Sequence, residues 1–130
     1  MTSDAKQRLA ELIDELAELS KKRHALHRKR RNILDRTRLI RAALVIEIAK
    51  AKDEKGKPVY SNEQLREAAL TLQLEKNDEY RRLRAERLEL EDQDDELITE
   101  SNRIVDHKLL LFAELGLLLQ PDADETPFGH

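Results

Sequence analysis

Three histidines are the first residues to weigh for chemistry. His24 and His27 stand three apart, and His107 lies far along the chain. An i, i+3 imidazole pair on a helix, joined by a third ring, has the donor types zinc takes. The alternative is three solvated histidines on a basic surface, and the sequence favours it. Carboxylates crowd positions 91–96 (Glu91, Asp92, Asp94, Asp95 and Glu96). A catalytic pair of acids needs a pocket that drives their pKa values apart, and a thin helical pair has none. Gly56-Lys57 lacks the earlier glycine, the following Ser or Thr and the preceding strand of a phosphate-binding loop. The chain has no cysteine, so thiolate nucleophiles, zinc–thiolate sites and disulfides are excluded. The residues point to a non-enzyme, with no catalytic residue, metal or cofactor expected.

Charge is the stronger signal. Within 21–41 the chain carries Lys21, Lys22, Arg23, Arg28, Lys29, Arg30, Arg31, Arg36, Arg38 and Arg41 against Asp35. Within 86–100 it carries Glu86, Glu89, Glu91, Asp92, Asp94, Asp95, Glu96 and Glu100 against Arg87. Arginine and lysine neutralise phosphates and release counterions. Arg23, Arg28, Lys29, Arg30, Arg31, Arg36, Arg38 and Arg41 are therefore candidates for nucleic-acid backbone contact. No aromatics are interleaved, which argues against base stacking. The competing reading is a structural charge zipper, in which the acidic block neutralises the basic one.

These residues must be positioned by helices. Gly and Pro number three each, aromatics are few, and charged residues make up 39%, a composition that suits long helices. Leu9, Leu12, Leu16, Leu19, Leu26, Ile33, Ile40 and Leu44 follow a three–four spacing. They predict one helix over about 4–54, with Asp4 as its cap, roughly 75 Å long at 1.5 Å per residue. Such a helix is not stable alone and must lie against another. Asp53 to Pro58 reads as a turn. Ser61 and Gln64 then fit a capping box, with Tyr60 and Leu65 as its hydrophobic staple, opening a short helix over about 62–75. Asn77 fits the cap of a third helix over 78–119, with Asp78 and Glu79 in its first turn. Leu83, Leu90, Leu97, Ile104, Leu111 and Leu118 keep heptad spacing. That helix either stops at Gly116 or runs on towards Pro121.

The expected fold is all-α: a long antiparallel helical hairpin, a coiled coil over 1–120 with the short helix at its tip. The second seam position turns polar at Arg23, Arg30 and Thr37 on the first helix. It does the same at Arg87, Asp94, Ser101 and Lys108 on the third. Polar seam residues fix register at a cost in stability, and Arg30 with Asp94 is the pair expected across it. Leu109, Leu110, Leu111, Phe112, Leu115, Leu117, Leu118 and Leu119 cover every face of a helix, more than one partner helix hides. Self-association into a bundle follows, a homodimer or a dimer of dimers, with Leu109, Leu110, Phe112, Leu115, Leu117, Leu118 and Leu119 at the contact. No apolar run is long enough to span a bilayer. A soluble cytoplasmic protein without a membrane partner is expected.

Residues 121–130 are expected to form a disordered acidic tail. Asp122-Ala123-Asp124-Glu125-Thr126-Pro127-Phe128 resembles the C-terminal tip of bacterial single-stranded DNA-binding proteins. In that family the tip docks onto replication, recombination and repair enzymes. The resemblance implies an anchor role for Pro127 and Phe128, with Asp122, Asp124 and Glu125 as steering charges. It departs where the family ends on the Phe carboxylate, since Gly129 and His130 follow here. An ordinary acidic solubilising tail is the other reading. The stretch Tyr60 to Glu63, then Arg66, then Asp78 to Tyr80, is similar to small phage and prophage coiled-coil proteins of unassigned function, which implies a mobile-element setting. Together these lead to a non-catalytic accessory protein of DNA metabolism, binding nucleic acid or recruiting a partner. The alternative is a scaffold or inhibitor that binds protein through coiled-coil contacts and never touches DNA.

Overall fold

A computed structural model describes residues 2–119, with side chains over 3–116. It has three helices: α1 Thr2–Lys50, α2 Glu63–Lys76 and α3 Asp78–Leu119. The elements match the expected long–short–long order. Several local assignments differ.

α1 begins before Asp4, which sits in its first turn rather than at its cap. It ends at Lys50, short of the expected 54, because Asp53 offers the backbone a competing set of bonds. Its Oδ1 accepts from the N–H of Lys55 and of Lys57, both at 2.9 Å. Its own N–H donates to the Lys57 carbonyl, and Val59 N–H donates to Ala51. Gly56 closes this loop at φ 79, a left-handed conformation that costs a side chain dearly. Asn62, not Ser61, caps α2: its Oδ1 accepts from Leu65 N–H at 2.8 Å. The hydrophobic staple therefore does not form as expected, and Leu65 stays exposed. α3 runs through Gly116.

The chain divides into two compact units, Met1–His24 with Asp94–His130, and Ala25–Gln93. In the first, Leu12, Leu19 and Ile104 are buried, with Leu16, Leu97 and Leu111 packed on them. α1 and α3 run antiparallel there. In the second, Ile40, Ile48, Ala69, Leu70 and Leu74 form a core joined by Leu44, Tyr60, Tyr80 and Leu83. Here α2 covers the last turns of α1, and α3 starts against Arg36 of α1. The buried Leu12, Leu19, Ile33 and Ile40 are the expected heptad row. Among the described residues no polar or charged side chain is fully buried, and no helix is long and apolar enough to cross a membrane.

Candidate nucleic-acid interface

The basic block sits on α1, and the helix period sorts it. Arg23 and Arg30 occupy seam positions, a heptad apart, so they turn towards α3. In the first unit Arg23 Nε donates to Asp94 Oδ1 at 2.8 Å and Nη2 donates to Oδ2 at 3.3 Å. In the second, Arg30 Nη2 lies 3.6 Å from Glu91 Oε1. Arg36 Nε donates to Glu79 Oε1 at 2.6 Å. The expected Arg30–Asp94 pair is thus replaced by Arg23–Asp94 and Arg30–Glu91. Heptad spacing fixes which positions face the partner helix, but not the axial register between helices, which comes from packing and from the loop. The hydrogen bond from Arg36, then its charge, holds the Glu79 carboxyl below the usual carboxylate range.

The other half of the block faces water. Arg28, Lys29, Arg31, Arg38 and Arg41 are all exposed. Arg38 reaches Asp35 of its own helix, at 3.8 Å with its side chain 78% exposed. Arg28, Lys29, Arg31 and Arg41 make no ion pair within 4 Å among the described residues. Lys29 borders a groove of about 510 Å³ that also holds Glu86 and Glu89. It therefore lies on a mixed-charge side, whereas Arg31 and Arg38 lie on the other, and Arg41 borders a groove of about 280 Å³ that holds Glu63, Arg66 and Glu67 of α2.

Sequence reasoning did not include Arg84. It follows the seam residue Leu83, as Arg41 follows Ile40. One residue turns an α-helix by about 100°. Because the two helices run in opposite directions, residues just after the seam on each fall on the same side of the pair. Arg84 is exposed and extends the basic side of α1 onto α3, beside the Arg87–Glu91 pair at 3.9 Å. The signal was present in Arg81-Arg82-Leu83-Arg84, three arginines in four residues, masked by the acidic run that follows.

The remaining candidates divide. Among the described residues no group of three His, Asp or Glu side chains is placed to hold a metal. Of the expected oligomer residues, Leu109, Leu110 and Phe112 are exposed, but Leu115 is already buried. Leu117, Leu118 and Leu119 lie outside the described side chains, as Asp122, Asp124, Glu125, Pro127 and Phe128 lie outside the described residues. Compared with protein-family models, with curated proteins and with solved structures, the chain matches none.

Proposed function

We propose that this protein binds the sugar–phosphate backbone of nucleic acid without catalysing a reaction, as an accessory protein of DNA metabolism. What supports the reading is the sorting of the basic block. Arg23, Arg30 and Arg36 meet carboxylates, so a zipper accounts for them. It does not account for Arg28 and Arg31, which stay exposed without an ion pair among the described residues, nor for Arg38, which reaches Asp35 of its own helix at 3.8 Å, on the same helix pair as the exposed Arg84. Exposed arginines with no acid, or with only a solvated one as at Arg38, lose little on meeting phosphate, so each contact adds counterion release at little cost. No base-reading pattern accompanies them, so the contact is indifferent to sequence. In this reading the acidic Pro-Phe tail recruits a DNA-metabolism protein, and the setting is that of a mobile element.

The test is the anisotropy of a labelled duplex and of a labelled single strand, titrated with the protein over a range of salt. Three phosphate contacts predict an affinity that falls roughly 40-fold between about 50 mM and 200 mM salt. A scaffold that never touches nucleic acid gives no binding at any salt.

A further inference from the structure

Within the unit Ala25–Gln93, residues that follow seam positions share one side of the helix pair. On α1 these include Arg31 after Arg30, Leu34 after Ile33 and Arg38 after Thr37. On α3 they are Arg81 after Tyr80, Arg84 after Leu83, Leu88 after Arg87 and Glu91 after Leu90. Arg31, Arg38, Arg81 and Arg84 are all exposed. The acid among these residues, Glu91, already lies 3.6 Å from Arg30 and 3.9 Å from Arg87. His27 and Arg41 mark the two ends of this side.

The ion pairs set the two helices level. Arg36 meets Glu79, and Arg30 meets Glu91. Arg84 lies between those two acids on α3, so it stands opposite the stretch between Arg30 and Arg36 on α1. Arg31 and Arg38 are a heptad apart, about 10.5 Å along α1. Arg84 is set off their line by the spacing of packed helices, about 8–10 Å between axes. Arg81, one turn before it, reinforces the same point. The cations therefore form a triangle over two helices and not a file along one. The floor between them is the half-buried Leu34. No ring joins it, because Tyr60 and Tyr80, the aromatic residues of this unit, pack against the core.

We propose that the nucleic acid this side takes is a duplex, with Arg31 and Arg38 on one phosphate strand and Arg84, backed by Arg81, on the other. The inference rests on the backbone-binding reading above. Two features select a duplex. The first is the triangle. A duplex holds two phosphate strands at a fixed separation, with one charge per about 1.7 Å of axis, twice the density of either strand. A lone strand offers one file of phosphates, which follows α1 and leaves Arg84 without a contact. The second is the floor. Proteins that hold single strands stack the bases on aromatic rings, and this side has none. Without stacking, nothing offsets the freedom a flexible strand gives up on a rigid helix pair.

The test is the anisotropy of two labelled DNA probes with equal numbers of phosphates, a blunt mixed-sequence duplex and an oligothymidine strand. Each is titrated with the full chain over a range of salt. Between about 50 mM and 200 mM salt, three contacts should lower duplex affinity roughly 40-fold, and two should lower strand affinity roughly 7-fold. Arg81→Gln with Arg84→Gln should flatten the duplex log–log slope by about one unit and leave the strand slope unchanged. Arg31→Gln should flatten both. Circular dichroism matching the wild type shows that each variant keeps its helices. Equal slopes for the two wild-type titrations overturn the duplex assignment and leave backbone binding standing. So does tighter binding of the strand, or an equal effect of the α3 substitutions on both probes. Binding of neither probe overturns the assignment and the backbone-binding reading together.

Discussion

Asn77 carries an unusual share of the structure for one exposed-to-half-buried polar residue. Its N–H donates to the Leu74 carbonyl and ends α2. Its side-chain Oδ1 accepts from Tyr80 N–H at 2.8 Å and starts α3. One asparagine thus serves as C-cap and N-cap, and Asn77→Ala should lower unfolding stability by about 1 kcal/mol in chemical denaturation. The cap was legible because Asn followed by two acids has few other uses. Ser61 and Asn62 were not separable, since both side chains cap well, and which one does so depends on where the loop delivers the chain. Glu79 shows the same local logic in charge. Its folded pKa lies below the unfolded value because Arg36 donates to it. Its stabilisation is therefore present above the unfolded pKa and is lost as pH falls through the folded one. Glu79→Gln should melt below the wild type at neutral pH, and the gap should close as pH falls through the lowered Glu79 pKa. The pair is solvated, so the difference should be small.

At the scale of the helix, periodicity carried most of the information. Leu12, Leu19, Ile33, Ile40, Leu90 and Ile104 are buried, all drawn from the heptad rows visible in the sequence. Period says which residues face inward and nothing about sliding. That is why the seam arginines were found and their partners exchanged. Arg23 with Asp94 is the most structured of these pairs, two-pronged and half-buried, at 2.8 and 3.3 Å. A double-mutant cycle between Arg23→Ala and Asp94→Ala should return a coupling of about 0.5–1 kcal/mol, falling with salt. The end of α1 was illegible for a different reason. Ala51-Lys52-Asp53-Glu54 has helical composition, and only the bonds Asp53 makes to Lys55 and Lys57 divert it.

At the scale of the molecule, charge is partitioned rather than balanced. The unit Ala25–Gln93 holds 17 Lys and Arg against 13 Asp and Glu, a net charge of +4. The chain total of −3 leaves −7 for the remainder. A chain that looks neutral by its total therefore offers a phosphate backbone one attractive unit. The sequence made the basic and acidic blocks plain. It left open which arginines were used up by acids, because that depends on helix register. The measurement that bears most directly on this account compares two sets of substitutions in the salt-dependent binding of labelled DNA. One is the water-facing set Arg31→Gln, Arg38→Gln and Arg84→Gln. The other is the acid-facing Arg36→Gln with Glu79→Gln, which removes a pair without changing net charge. With helicity intact in both, the first set should lower affinity and flatten the log–log salt slope by about three units, and the second should leave both unchanged. Equal losses from the two sets, or none from the first, would contradict it.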